Sequence, residues 1–221
     1  MALLVQLAAL GFIGWAVLRW FPQQRRRKRQ RYIDDYRFHP AIRKKLQDRH
    51  PQLSEPDTDL VFECLRDYFR ICNLAGKRMV SMPSQVVDDA WHEFILFTRA
   101  YQRYCQQALG RFLHHVPAEA MRTPTLAQDG IKRAWKLACH LENINPRQPE
   151  RLPQLFAIDS QLNIRNGFRY SLNCADRNAP HRGDSYCASH IGCSSGCGGG
   201  CSGDSSGDSS GCGGGCGGGG D

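Results

Sequence analysis

Asp88 and His92 stand four residues apart, and the pair His114-His115 follows before Pro117. A carboxylate and an imidazole at i, i+4 share one face of a helix, and further histidines on the next segment complete the ligand types and spacing of a metal site, with a zinc-like divalent cation as the ion it would take. The same residues suit an acid–base pair in which the aspartate fixes the imidazole tautomer. A plain structural role fits as well. Aspartate in a helix first turn and histidine near a helix C-terminus are both favoured by the macrodipole, and Asp–His at i, i+4 is an ordinary local pair. Asp88, His92, His114 and His115 are therefore the candidate metal ligands, and no residue is assigned a catalytic or cofactor-binding role.

The second set of chemistry-bearing residues is cysteine. Cys193, Cys197 and Cys201 recur every four positions, and Cys212 and Cys216 repeat the interval within a run of Gly, Ser and Asp. Thiolates are soft ligands for Zn²⁺, Cu(I) or an iron–sulfur cluster, with Cys187 and His190 as natural additional ligands. A glycine-rich chain loses entropy on closing around a metal, so a disordered, redox-susceptible tail over residues 181–221 competes with a tail metal site. Cys64, Cys72, Cys105 and Cys139 fall instead inside apolar helical patterns, where a free thiol behaves as a small buried hydrophobe. This distribution fits a reducing compartment better than a disulfide framework.

The elements that must position Asp88 and His92 follow from periodicity. Ser84 reads as the N-cap of a long helix to about Leu109, with Gly110 at its end. At 100° per residue, Val87, Ala90, Trp91, Phe94, Thr98, Tyr101, Cys105, Ala108 and Leu109 share one arc, which places this helix centrally in a bundle. Before it, Ala41–His50 forms a short basic helix between prolines. Asp57 or Thr58 caps a helix in which Leu60, Val61, Cys64, Leu65, Tyr68, Phe69 and Cys72 keep the helical rhythm up to Gly76. Thr125–Leu141 gives another helix and Leu152–Ile164 a short one. No run shows the sustained alternation of a half-buried strand, so the body is expected to be all-α.

The run Val87-Asp88-Asp89-Ala90-Trp91-His92-Glu93-Phe94-Ile95-Leu96-Phe97-Thr98, with Tyr101, Tyr104-Cys105, Gly110 and His114-His115-Val116-Pro117, resembles the glycine-rich domain-containing protein-like family. Leu152-Pro153-Gln154-Leu155-Phe156-Ala157-Ile158-Asp159 is similar to that family's later segment. The resemblance covers about residues 35–175 and implies an all-helical domain. Plant members are associated with stress and developmental responses and carry further domains that have no counterpart here.

Charge and hydropathy add an expected location. Ala2–Leu18 holds no charged side chain, and at 1.5 Å per residue spans roughly 26 Å, close to a hydrocarbon core of about 30 Å. Arg19, Trp20 and Phe21 have interfacial character, so residues 2–21 are expected to form a single transmembrane helix. Arg25, Arg26, Arg27, Lys28, Arg29 and Arg31 supply six of the net +8, leaving +2 for the remainder. By the positive-inside rule they put the N-terminus outside and the body on the cytoplasmic face of a cell membrane, with the same six residues contacting anionic headgroups. No nucleic-acid partner is expected of a nearly neutral body. The expected organisation is thus a span at 2–21, a basic juxtamembrane segment at 22–34, a soluble helical domain at 35–180 and the tail at 181–221. As a function this gives a membrane-tethered interaction or scaffold domain with a protein partner. The alternatives are a metal-binding or metal-dependent hydrolase-like role for Asp88, His92 and His114, and a metal or redox role for the tail.

Overall fold

Proline, serine and glycine punctuate this chain into helices. A computed structural model describes residues 20–116, 124–172, 186–187 and 191, and among these residues it forms seven helices: α1 over residues 20–35, α2 Pro40–Arg49, α3 Glu55–Ala75, α4 Gln85–Leu96, α5 Thr98–Ala108, α6 Pro124–Leu141 and α7 Gln154–Gln161. Two two-residue strands, β1 Tyr170–Ser171 and β2 Tyr186–Cys187, pair in parallel with Tyr170 opposite Tyr186. Two residues of the segment expected as a tail thus pair with the body, and Ile191 is buried in its core.

The helix starts show how local chemistry places the boundaries. Ser54, three residues upstream of the expected cap, begins α3. Its Oγ accepts from the Asp57 N–H at 3.3 Å while the Asp57 carboxylate accepts from the Ser54 N–H at 3.0 Å, a closed capping box. Thr58 is buried inside the first turn, where its hydroxyl donates to the Ser54 carbonyl. Gly76, at φ +65°, ends α3 as its lack of Cβ allows.

The expected continuous helix from Ser84 to Leu109 is two helices. Phe97 leaves helical geometry at φ −82°, ψ 59°, and its N–H turns back to the Phe94 carbonyl at 3.1 Å. On a straight helix the backbones of residues 91 and 101 would lie about 15 Å apart. The break folds α5 back so that Trp91 Nε1 donates to the Tyr101 hydroxyl at 3.1 Å. Thr98, placed by periodicity on the buried arc, is exposed as a result, and so is Leu96.

The core lies around α3 and α4. α4 packs against α2, α3, α5 and α7, and α6 packs on α3. Aromatic rings from three helices and the α1–α2 connection meet there: Phe69 of α3, Phe94 of α4 and Tyr104 of α5 lie within 6.3 Å of one another by centroid, with Tyr36 and Phe38 against them. Trp135 of α6 is fully buried edge-on to Phe156 of α7 at 5.1 Å.

The expected membrane anchor is corrected by this fold. Among the described residues no helix is long and apolar enough to cross a membrane. The longest, α3, carries Glu55, Asp57, Asp59, Glu63, Arg66, Asp67 and Arg70, and α1 carries the basic cluster; charges at this density cannot be buried in hydrocarbon. The single-pass topology and the cell-membrane location are therefore withdrawn. Residues 2–19 of the expected span lie outside the described residues. The basic segment is part of the fold: Ile33 of α1 is fully buried, Asn73 Nδ2 donates to the Arg26 carbonyl, and the Arg29 guanidinium sits over Gly110 at the end of α5. A cation there meets the negative end of the α5 dipole.

Candidate metal centre

α4 starts where two separate pieces of chain agree. The Ser84 Oγ accepts from the Val87 N–H, as the sequence indicates. Asp159, buried on α7, completes the cap: Oδ1 accepts from Ser84 Oγ at 2.7 Å and from the Val86 N–H at 3.2 Å, while Oδ2 accepts from the N–H groups of Gln85 and Phe168 at 2.7 and 2.8 Å. A carboxylate at a helix N-terminus satisfies orphan donors and complements the dipole. Nothing in the spacing of Asp159 relative to Ser84, 75 residues away, announces this pairing.

This anchored first turn aims the adjacent aspartates in different directions. Asp89 faces α2, where Arg49 Nη1 and His50 Nε2 each lie 2.8 Å from its carboxylate. Asp88 faces the segment after α5. Its Oδ1 lies 3.0 Å from His115 Nε2 and its Oδ2 3.6 Å from His92 Nδ1. The two imidazole rings are 4.2 Å apart by centroid. One ligand atom from each of Asp88, His92 and His115 falls within 4.8 Å of the others. All three are half-buried, His92 the most exposed of them at 42% of its side chain.

His115 rather than His114 joins this group, because residues 112–116 alternate. Leu113 is buried and His115 half-buried, while Phe112, His114 and Val116 are exposed. In extended chain, successive side chains point to opposite sides, so a buried Leu113 carries His115 inward with it. His114 instead lies edge-on to Phe112 at 4.8 Å. Two residues that the sequence reading left as core hold this segment in place. The Tyr101 hydroxyl accepts from Trp91 Nε1 and donates to the Leu113 carbonyl at 2.5 Å, and the Trp91 ring lies edge-on to His115 at 4.7 Å. In sequence the run Phe112-Leu113-His114-His115 is two apolar residues followed by two histidines, so only the burial of Leu113 separates the two histidines.

Beside the triad opens a cavity of about 200 Å³, with His115 in its wall together with Trp91, Tyr68 and Cys72. Tyr68 donates to the Val80 carbonyl across it. Burial pushes the Cys72 thiol up to about 12, which keeps it protonated at neutral pH. Tail residues Cys193, Cys197, Cys201, Cys212, Cys216 and His190 lie outside the described residues, as does the side chain of Cys187.

No curated protein and no solved structure matches the chain. A family model described as UCP032817-like matches residues 28–191, which takes in all seven helices except the start of α1, the whole Asp88–His92–His115 group and Ile191. On that match the chain belongs to the UCP032817-like family.

Proposed function

We propose that this helical domain binds one divalent metal ion of zinc-like preference through Asp88, His92 and His115. The convergence of three ligand atoms within 4.8 Å carries the reading. Ligand atoms around a tetrahedral zinc lie about 3.4 Å apart, so small side-chain adjustments suffice to close the set. A hydrogen-bonded pair would need only Asp88 and His115. The second imidazole, brought to 4.2 Å and the most exposed of the three, has no hydrogen bond to Asp88 at its 3.6 Å separation and is free to ligate. Three protein ligands leave a fourth position for water or substrate, which is the arrangement a metal-dependent hydrolytic role would use. Kinship with the glycine-rich domain-containing proteins belongs to the same proposal and rests on the motif from Val87 to Pro117.

Titration of the full chain with Co²⁺ under reducing conditions tests this. Binding at the triad gives weak d–d bands without a thiolate charge-transfer band, which separates it from binding by tail cysteines. One equivalent of such a site is expected, lost in His92→Ala and in His115→Ala and retained in His114→Ala. A wild-type chain showing only thiolate-ligated cobalt removes the proposal. A protein partner is the second reading, favoured by the exposure of Leu96, Phe112 and Val116. Leu96→Asp should then abolish capture of a partner by the immobilised full chain while leaving metal content intact; an unchanged capture profile removes that reading.

A further inference from the structure

The cavity beside the triad has a one-sided charge. Lys77, Arg78 and Arg111 line it along with His114 and His115, and no described lining residue carries a carboxylate. Lys77, Arg78 and Arg111 have no acidic partner among the described residues, in contrast to the arginines of α2 and α3, which are paired with aspartate or glutamate. The end of α3 explains why the two arginines gather here. Arg78 Nε donates to the Ala75 carbonyl at 3.3 Å and Arg111 Nε to the Gly76 carbonyl at 3.0 Å, so both guanidiniums are drawn to the negative end of the α3 dipole. Each uses Nε for the backbone. Among the described residues the terminal nitrogens of Arg78 and one of those of Arg111 make no hydrogen bond to the protein, and these are the groups that form the two-pronged contact with an oxyanion. Asp88 is outside the lining, its carboxylate 3.0 Å from His115 Nε2.

We infer that this cavity binds a small oxyanion of the phosphate class, held by Lys77, Arg78 and Arg111. At about 200 Å³ the space is below the usual 300–1,000 Å³ of drug-sized ligand sites. It suits inorganic phosphate or a compact phosphomonoester. The inference extends the metal proposal and rests on it in one respect: with His115 common to both, an oxyanion in the cavity lies next to the open metal position, and each would raise the affinity of the other.

Calorimetric titration of the full chain with inorganic phosphate, first metal-free and then loaded with one equivalent of Zn²⁺, tests this alongside metal quantification. Saturable one-site binding is expected in both states, tighter with zinc. Lys77→Gln/Arg78→Gln, two exposed positions, should weaken phosphate at least tenfold with zinc content unchanged. Arg111→Lys, which keeps the charge and loses the fork, should weaken it severalfold and guards against a folding defect in a neutral variant. If phosphate binding is absent or non-saturable, or is untouched by the double substitution, the oxyanion site is overturned while the zinc content still stands or falls by itself. If zinc fails to bind and phosphate still depends on Lys77 and Arg78, the metal proposal falls and the oxyanion site stands. A compact phosphomonoester titrated in parallel distinguishes the sources: tighter binding than phosphate identifies the ester, and weaker binding identifies the free anion.

Discussion

Two tyrosines three residues apart on α5 have opposite consequences for the fold. The Tyr101 hydroxyl receives the Trp91 N–H and holds the Leu113 carbonyl, so it links the helix bearing Asp88 and His92 to the segment bearing His115. The Tyr104 hydroxyl is fully buried and has no hydrogen-bond partner among the described residues. Tyr101→Phe should therefore cost about 1–3 kcal/mol by leaving a buried donor and a buried acceptor unmatched. It should also weaken metal binding, because His115 loses its support. Tyr104→Phe removes an unmatched hydroxyl and should be neutral or stabilising by about 1 kcal/mol. Urea denaturation midpoints of the two variants decide the matter, and a destabilised Tyr104→Phe would show that its hydroxyl finds a partner in the folded chain.

At the scale of elements, α4 is the part on which the site depends, and its start is held from a distance. Four hydrogen bonds converge on the Asp159 carboxylate, three of them from the first residues of α4 and its cap. Asp159→Ala should cost about 3 kcal/mol, since it orphans backbone donors and removes a charge that complements the helix dipole. The same substitution should reduce metal occupancy, because Asp88 sits in the turn that is released. Asp159→Asn, which retains one acceptor oxygen, should lose less in both measurements. Thermal unfolding with metal quantification on the three proteins gives the comparison, and an Asp159→Ala protein as stable as wild type would discard this account of the cap. The break at Phe97 works at the same scale. It shortens the expected helix but brings α5 back over α4, and this return lets Tyr101 act on the site.

For the whole molecule, the buried thiols set an alkaline limit on stability. Burial raises Cys72 from an ordinary 9.0 to about 12 and Cys139 to about 11, and pushes the Cys64 thiol up further still. The folded state therefore keeps protons that the unfolded chain releases above about pH 9. The stability this contributes is fully present below pH 9 and is lost as pH rises through 11 to 12. Unfolding free energy should be flat from pH 7 to 8.5 and fall steadily above pH 9. Alkylation gives a second readout: at pH 8 a thiol with pKa 12 is ionised in about one molecule in ten thousand. Peptide mapping should find Cys64, Cys72, Cys105 and Cys139 unmodified in the native chain and fully modified in urea. Rapid native labelling of Cys72 would contradict its burial.

Much of this was legible in the sequence because it is local. Pro40, Ser84 and Gly76 mark helix boundaries through backbone chemistry that acts within one turn, and the spacing of Val61, Leu65, Tyr68 and Cys72 identifies a buried helix face. The i, i+4 relation of Asp88 and His92 is equally local, since any helix through them puts both on one face. What only the tertiary structure decided involves partners distant along the chain. Periodicity extrapolated a straight helix through Phe97, whereas the chain turns there and brings the Tyr101 hydroxyl to the Trp91 N–H. Residue spacing alone could not choose between His114 and His115, because burial of Leu113 against the core settles which of the two turns inward. Asp159 reaches Ser84 across 75 residues, and the cations around the cavity come from both the α3 end and the α5 end. Apolar length and its flanks suggested a membrane span at the N-terminus, whereas among the described residues no helix is long and apolar enough to cross a membrane. The sequence determined which residues could carry chemistry, and the packing of α4 against α5 and α7 determined which of them meet.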